Sequence, residues 1–123
     1  MQQYRRKQRT AVSAVQLDLA TEGFAYQKWG GTQWCKRGDW IVNNESDVYT
    51  VDADSFTLTY RKVAPGRYEK VGDVWAEVAS TSGVIPSKEG ATSYAAGDYL
   101  VYNNLDRTDG YALCPETFHK LYE

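Results

Sequence analysis

The sequence predicts an α+β fold, mostly antiparallel β, organised as two tandem pseudo-symmetric repeats that each hold β-hairpins and one short helix. A repeated hairpin and a repeated aromatic helix lead there. Gly38-Asp39-Trp40-Ile41-Val42 returns as Gly97-Asp98-Tyr99-Leu100-Val101, and an Asn pair follows each, Asn43-Asn44 and Asn103-Asn104. Val48-Tyr49-Thr50-Val51 then corresponds to Gly110-Tyr111-Ala112-Leu113. From there Tyr49, Asp54, Phe56 and Tyr60 align with Tyr111, Glu116, Phe118 and Tyr122 at one constant offset. Self-similarity of this kind marks a repeated supersecondary unit. A unit of about 60 residues buries too little surface to stand alone. The halves are therefore expected to pack about a pseudo-twofold axis, with the equivalent residues Trp40 and Tyr99 meeting there.

The elements follow in order. Thr10–Leu17 is apolar and β-branched enough for a strand, with Val74–Ser80 as its counterpart. Phe24–Lys28 and Thr32–Cys35, joined by Trp29-Gly30-Gly31, read as a hairpin, as do Val84–Ser87 and Thr92–Tyr94 around Lys88-Glu89-Gly90. Asp39–Val42 is a short apolar run bounded by Gly and Asn, and Val48–Val51 is its returning strand. Asp52 or Asp54 starts a short helix that ends near Tyr60 and places Phe56 and Tyr60 on one face. Cys114-Pro115-Glu116 starts the second helix, with Pro in the first turn where its missing N–H costs nothing. Ala64-Pro65-Gly66 reads as a linker, so the expected division is a first repeat over 1–63, a linker over 64–67 and a second repeat over 68–123.

Composition narrows the function classes. Net charge is −2, which gives no global attraction to nucleic acid or to a membrane. Residues 1–10 nevertheless carry Arg5, Arg6, Lys7 and Arg9 without an acid, leaving about −6 on the remainder. That basic arm is either a phosphate-contacting segment or an edge strand kept from aggregation by its charge. No apolar run approaches the length of a membrane span, and no signal-peptide core follows the basic start. Cys35 and Cys114 occupy non-equivalent positions and make neither a disulfide framework nor a metal site. A cytoplasmic protein with reduced thiols is the expectation. Aromatics reach 14%, so beyond filling a small β core some are candidates for a ligand-facing surface.

The pattern resembles small proteins found widely in phages and prophages. Tyr4-Arg5-Arg6-Lys7 and Ala14-Val15-Gln16 look like the family's opening. Gly38–Val42, Tyr49–Val51 and Asp54–Tyr60 look like its close. The second half matches the same ending and, more loosely, the opening, through Tyr68-Glu69-Lys70 and Glu77-Val78-Ala79. Arg37 and Ala96 stand where the family often has Pro, and Ser13 stands where its opening strand has Glu. The resemblance implies a phage accessory protein of the host cytoplasm and assigns no functional residues.

Catalytic constellations are poorly supplied. His119 is the sole imidazole, and its counterpart in the first half is Thr57, so the repeat holds no shared base. One His and two distant Cys do not make a zinc site. Asp39 and Asp98 recur after Gly and can be imagined as a dyad, but Asp at that place commonly satisfies backbone donors of the turn. Asp47, Asp52 and Asp54 lack the Gly and distal Glu of a calcium loop. Trp29-Gly30-Gly31 and Trp34, near Lys28, Lys36 and Arg37, can be read in two ways. The glycines form a tight turn and the rings close the core, or the rings stack a base while the cations meet a phosphate.

The sequence thus points to a binding module without enzymatic activity and without cofactor or metal. A host or phage protein is the first expected partner, engaged through an aromatic-rich surface. The alternatives are a nucleotide-type small molecule, held as by a sponge, and weak nucleic-acid binding through the basic arm. Candidate ligand contacts are Trp29, Trp34, Lys36, Arg37, Trp40 and Tyr99. Exposed edge strands would also allow a homodimer.

Overall fold

The computed structural model describes residues 1–8, 10–45 and 47–123. The chain runs through β1 (Gln2–Tyr4), β2 (Ala11–Gln16), β3 (Phe24–Lys28), β4 (Gly31–Cys35), β5 (Trp40–Asn43) and β6 (Val48–Val51) to α1 (Ala53–Thr59). It continues through β7 (Tyr60–Ala64), β8 (Arg67–Lys70), β9 (Val74–Val78), β10 (Gly83–Pro86), β11 (Ala91–Tyr94), β12 (Tyr99–Tyr102) and β13 (Gly110–Leu113) to α2 (Pro115–Leu121). The fold is α+β, mostly antiparallel strands with two short helices. One sheet has the order β6-β5-β2-β8-β7 and another the order β1-β9-β12-β13, while β3-β4 and β10-β11 are two-stranded hairpins. Among the described residues, no helix is long and apolar enough to cross a membrane.

The segment expected as a linker is built into a sheet. Residues 64–67 are the turn of a hairpin inside the five-stranded sheet, where Ala64 faces Arg67 across β7 and β8. Pro65 followed by Gly66 at φ 69° suits a tight turn of this kind. The composition of a flexible linker and of a β-turn is the same here, and only the strand partners separate them. β8 pairs with β2 through Val12 and Tyr68, although β8 leads directly toward β9. β1, at the start of the chain, pairs with β9 through Tyr4 and Val74. Each large sheet therefore receives an edge or interior strand from the far side of the 64–67 turn.

Helix ends are set by local chemistry. Asp52 caps α1, its carboxylate accepting from the N–H groups of Asp54 and Ser55. α2 has no side-chain cap at Cys114 and begins instead with Pro115 in its first turn. Both helices stop as Tyr60 and Tyr122 turn to extended backbone.

Each helix lays one aromatic face on its own sheet. Phe56 stacks on Trp40 with ring centroids 4.1 Å apart and on Tyr60 at 4.5 Å. Phe118 stacks on Tyr99 at 4.0 Å and on Tyr122 at 5.3 Å. Trp40 and Tyr99 consequently do not meet. Strand side chains alternate, so the face that carries Trp40 and Val42 is turned to α1, and the face carrying Tyr99 and Val101 is turned to α2. A third cluster, Ala79, Ile85, Leu100 and Tyr102, lies beneath the β10–β11 hairpin.

Because each large sheet takes a strand from the far side of the 64–67 turn, the two should unfold together. Phe56→Ala and Phe118→Ala are each expected to cost about 3–5 kcal/mol. Both should lower one common transition in urea, followed by tryptophan fluorescence and far-UV circular dichroism. Two separable transitions would contradict this coupling.

Candidate functional site

The opening strands place two cations at the seam between the large sheets. Residues two apart on a strand share a face. Tyr4 meets Phe118 edge-on at 4.9 Å, and Tyr68 meets Phe56 edge-on at 5.0 Å. Two residues beyond each tyrosine come Arg6 and Lys70. Arg6 pairs with Tyr122 in an antiparallel bridge, and its guanidinium carbon lies 5.5 Å from the centre of that ring. Lys70 faces Tyr60 in the β7–β8 register, and its ammonium donates to the hydroxyls of Tyr111 at 3.1 Å and Tyr122 at 3.4 Å.

Four phenols surround these cations. The hydroxyls of Tyr111 and Tyr122 lie 2.5 Å apart, and those of Tyr49 and Tyr60 lie 3.0 Å apart. They open on a cleft of about 520 Å³ lined from both large sheets and both helices. Arg6, Lys70 and Lys120 bring positive charge to its wall, against one carboxylate, Asp47. Lys28 already engages Asp47 at 2.5 Å. Among the described residues, neither Arg6 nor Lys70 has a carboxylate within 4.0 Å. Among the described residues, Nε of Arg6 is buried without a hydrogen-bond partner, as is Oδ1 of Asn103, another residue of the cleft wall. Burying a cation without a counter-charge is costly, so this wall is chemically unfinished.

The phenols respond to that charge. Burial opposes ionisation of Tyr122, but Lys70, the bond from Tyr111 and Arg6 outweigh it and hold the phenol below its usual value. Burial also disfavours the Lys70 ammonium, yet the surrounding Tyr122, Tyr60 and Tyr49 keep it above the ordinary lysine value. Tyr111, deeply buried, is pushed well up. The cluster thus holds its positive charge across the neutral range.

Of the six ligand contacts expected from the sequence, only Trp29 lines this cleft, at its rim and 40% exposed. Trp34 is exposed on β4, away from the cleft lining. Lys36 is engaged by Asp39 at 3.0 Å and Asp52 at 2.8 Å. Arg37 faces Asp18 at the surface, 3.6 Å away. Trp40 and Tyr99 belong to the two cores. Neighbours along β4 and its turn diverge in space because alternate side chains leave on opposite faces.

The basic arm is not a free arm. Gln2–Tyr4 is a strand, the main chains of Arg5 and Glu123 bond to each other, and Lys7 donates its N–H to Leu121. Arg5 pairs with Glu123 at 3.4 Å, and Arg9 lies outside the described residues. Asp39 accepts from the N–H groups of Lys36 and Ala53, and Asp98 from that of Ala95, so both hold turns. His119 packs against Tyr99 and Phe118. Lys70 and the four phenols lie outside the set of contacts expected from the sequence. Their signal was the repeated Tyr-x-basic pattern of Tyr4-Arg5-Arg6 and Tyr68-Glu69-Lys70, together with the four tyrosines of the helix and hairpin motifs.

A second charged cluster ties the β10–β11 hairpin to α1. Glu89 accepts the Asp52 N–H at 2.9 Å. Burial, with Asp109, Asp52 and Asp39 nearby, pushes its carboxyl up to about 7. A carboxyl raised in the folded state adds stability at low pH and loses it as pH rises toward the folded value. Stability should therefore fall by on the order of 2 kcal/mol between pH 4.5 and 7.5 from this group alone. Urea melts of Glu89→Gln should lose that slope and gain stability at pH 8. An unchanged slope would refute the assignment.

No family model, no curated protein and no solved structure matches this chain.

Proposed function

We propose that the chain is a binding protein without catalytic activity, and that it takes a small anionic molecule into the cleft between its large sheets. The observation that carries this is the pair Arg6 and Lys70, half-buried and facing four phenols with no carboxylate partner among the described residues. An anion would supply the missing charge, the phenols would bond its oxygens, and the cleft volume is that of a small-molecule site. Two tandem pseudo-symmetric repeats, each lending its opening strand to the other, would explain why equivalent cations and tyrosines converge there. In support, the Trp40–Phe56–Tyr68 packing is matched by Tyr99–Phe118–Tyr4, and the Tyr49–Tyr60 pair by Tyr111–Tyr122.

In the phage or prophage setting that the resemblance implies, such a protein would act in the host cytoplasm by holding its ligand away from a host process, molecule for molecule. A protein partner is the second reading, favoured by the exposed Trp34 and Phe24 of the β3–β4 hairpin. Nucleic-acid binding by the N-terminal arm has less support, since Arg5 is paired with Glu123 and Arg6 belongs to the cleft.

Thermal melts at low ionic strength with inorganic phosphate, pyrophosphate and ribose 5-phosphate test the reading. At a hundred-fold excess over Kd, the stabilisation expected is about 2.7 kcal/mol, a Tm rise of roughly 8–15 °C. Lys70→Met should abolish the rise while remaining folded. A Tm indifferent to all three anions, or a full rise in Lys70→Met, would overturn it.

A further inference from the structure

The second end of the cleft is aromatic, and the backbone there is held in an unfavourable conformation. Lys28 faces Gly31 across the β3–β4 hairpin, so its loop is the two residues Trp29 and Gly30. Their φ angles are 55° and 75°, both left-handed, as a tight hairpin turn of the I′ kind requires. Asn, Asp or Gly suits the first of these positions, whereas a bulky side chain there is a conformational outlier. Gly30 is required on steric grounds as well, since a Cβ would come within 2.6 Å of the Ser93 hydroxyl oxygen. Trp29 has no such reason. Its ring is 40% exposed, so it contributes less to a core than the fully packed aromatics do.

The indole is nonetheless fixed in place. The Ser93 N–H donates to the Trp29 carbonyl at 2.9 Å, which anchors the hairpin tip to β11. The Lys28 ammonium lies 5.3 Å from the centre of the indole, and the Tyr49 ring 6.1 Å away at a tilt of 51°. Tyr49 then joins the indole to the cationic end, because its hydroxyl bonds that of Tyr60. A strained, anchored and partly exposed tryptophan at the mouth of a cationic cleft is a surface kept for a planar ligand group.

We infer that the cleft takes a nucleoside phosphate, its phosphate between Arg6 and Lys70 and its base against Trp29. This rests on the reading of the cleft as an anion site and adds the chemistry of the ligand's other end. Stacking on an aromatic side chain is tolerant of the base, so purine and pyrimidine nucleotides are both expected to bind.

The test is calorimetric titration of the full chain with AMP, GMP, CMP and UMP, each compared with ribose 5-phosphate, which has the phosphate and sugar but no base. At least one nucleotide should bind ten-fold or more tightly than ribose 5-phosphate. Trp29→Asn, which suits the turn better than tryptophan, should remove that preference and leave ribose 5-phosphate affinity within about two-fold. Nucleotides that bind no better than ribose 5-phosphate to the native chain would overturn the base site while leaving the anion site standing. So would a preference that survives Trp29→Asn. Failure of ribose 5-phosphate and all four nucleotides to bind would overturn both.

Discussion

Tyr4 closes the aromatic core around Phe118, and Tyr68 closes the core around Phe56, each from a strand that arrives from the other side of the 64–67 turn. This exchange is the constraint on which the rest depends. Edge-to-face contacts at 4.9 Å and 5.0 Å are favourable ring geometries. Neither core is complete without a residue from the far segment, so the sheets cannot form fully one at a time. A short chain gains by this, because two small cores that close each other behave as one larger one.

The same strands fix the electrostatics. In extended backbone the residue two beyond the core tyrosine faces the same side, and it is a cation both times, Lys70 within β8 and Arg6 in an isolated bridge just past β1. Arg6 and Lys70 are therefore carried to the seam by the packing of Tyr4 and Tyr68. No carboxylate among the described residues meets their charge, and phenols answer it only in part, because a neutral hydroxyl offers a dipole where a carboxylate would offer a full charge. A protein selected for stability alone would place apolar side chains at such positions. Keeping two cations there, and a tryptophan in a left-handed turn at the same cleft, concentrates unfavourable choices in one place, as binding sites do.

Much of the fold was legible in the sequence. The apolar run Asp39–Val42 became β5, one residue further on at Trp40–Asn43, its return Val48–Val51 became β6, and of Asp52 and Asp54, both possible starts of α1, Asp52 is the cap. Both predicted smaller hairpins form. What could not be read is partnership. Tyr60–Lys70 is too polar and too broken by Pro65 and Gly66 to announce β7 and β8, and a run of basic residues looks the same free or paired. The site suffered from the same blindness. Trp34, Lys36 and Arg37 are close in sequence to Trp29, but pleating and ion pairs disperse them, while Arg6 and Lys70, 64 positions apart, converge. Pattern in a strand reveals which face a residue takes; it does not reveal what that face meets.

The most direct measurement is a nitrogen-15 correlation spectrum of the arginine Nε–H groups during titration with pyrophosphate. The Arg6 Nε is buried and has no hydrogen-bond partner among the described residues, whereas the Arg5 Nε lies at the surface beside Glu123. If the cleft is an anion site, the Arg6 resonance shifts and saturates as pyrophosphate is added, and the Arg5 resonance stays close to its starting position. If Arg6 does not move, or if the two arginines respond alike and without saturation, the cations at the seam do not form a binding site.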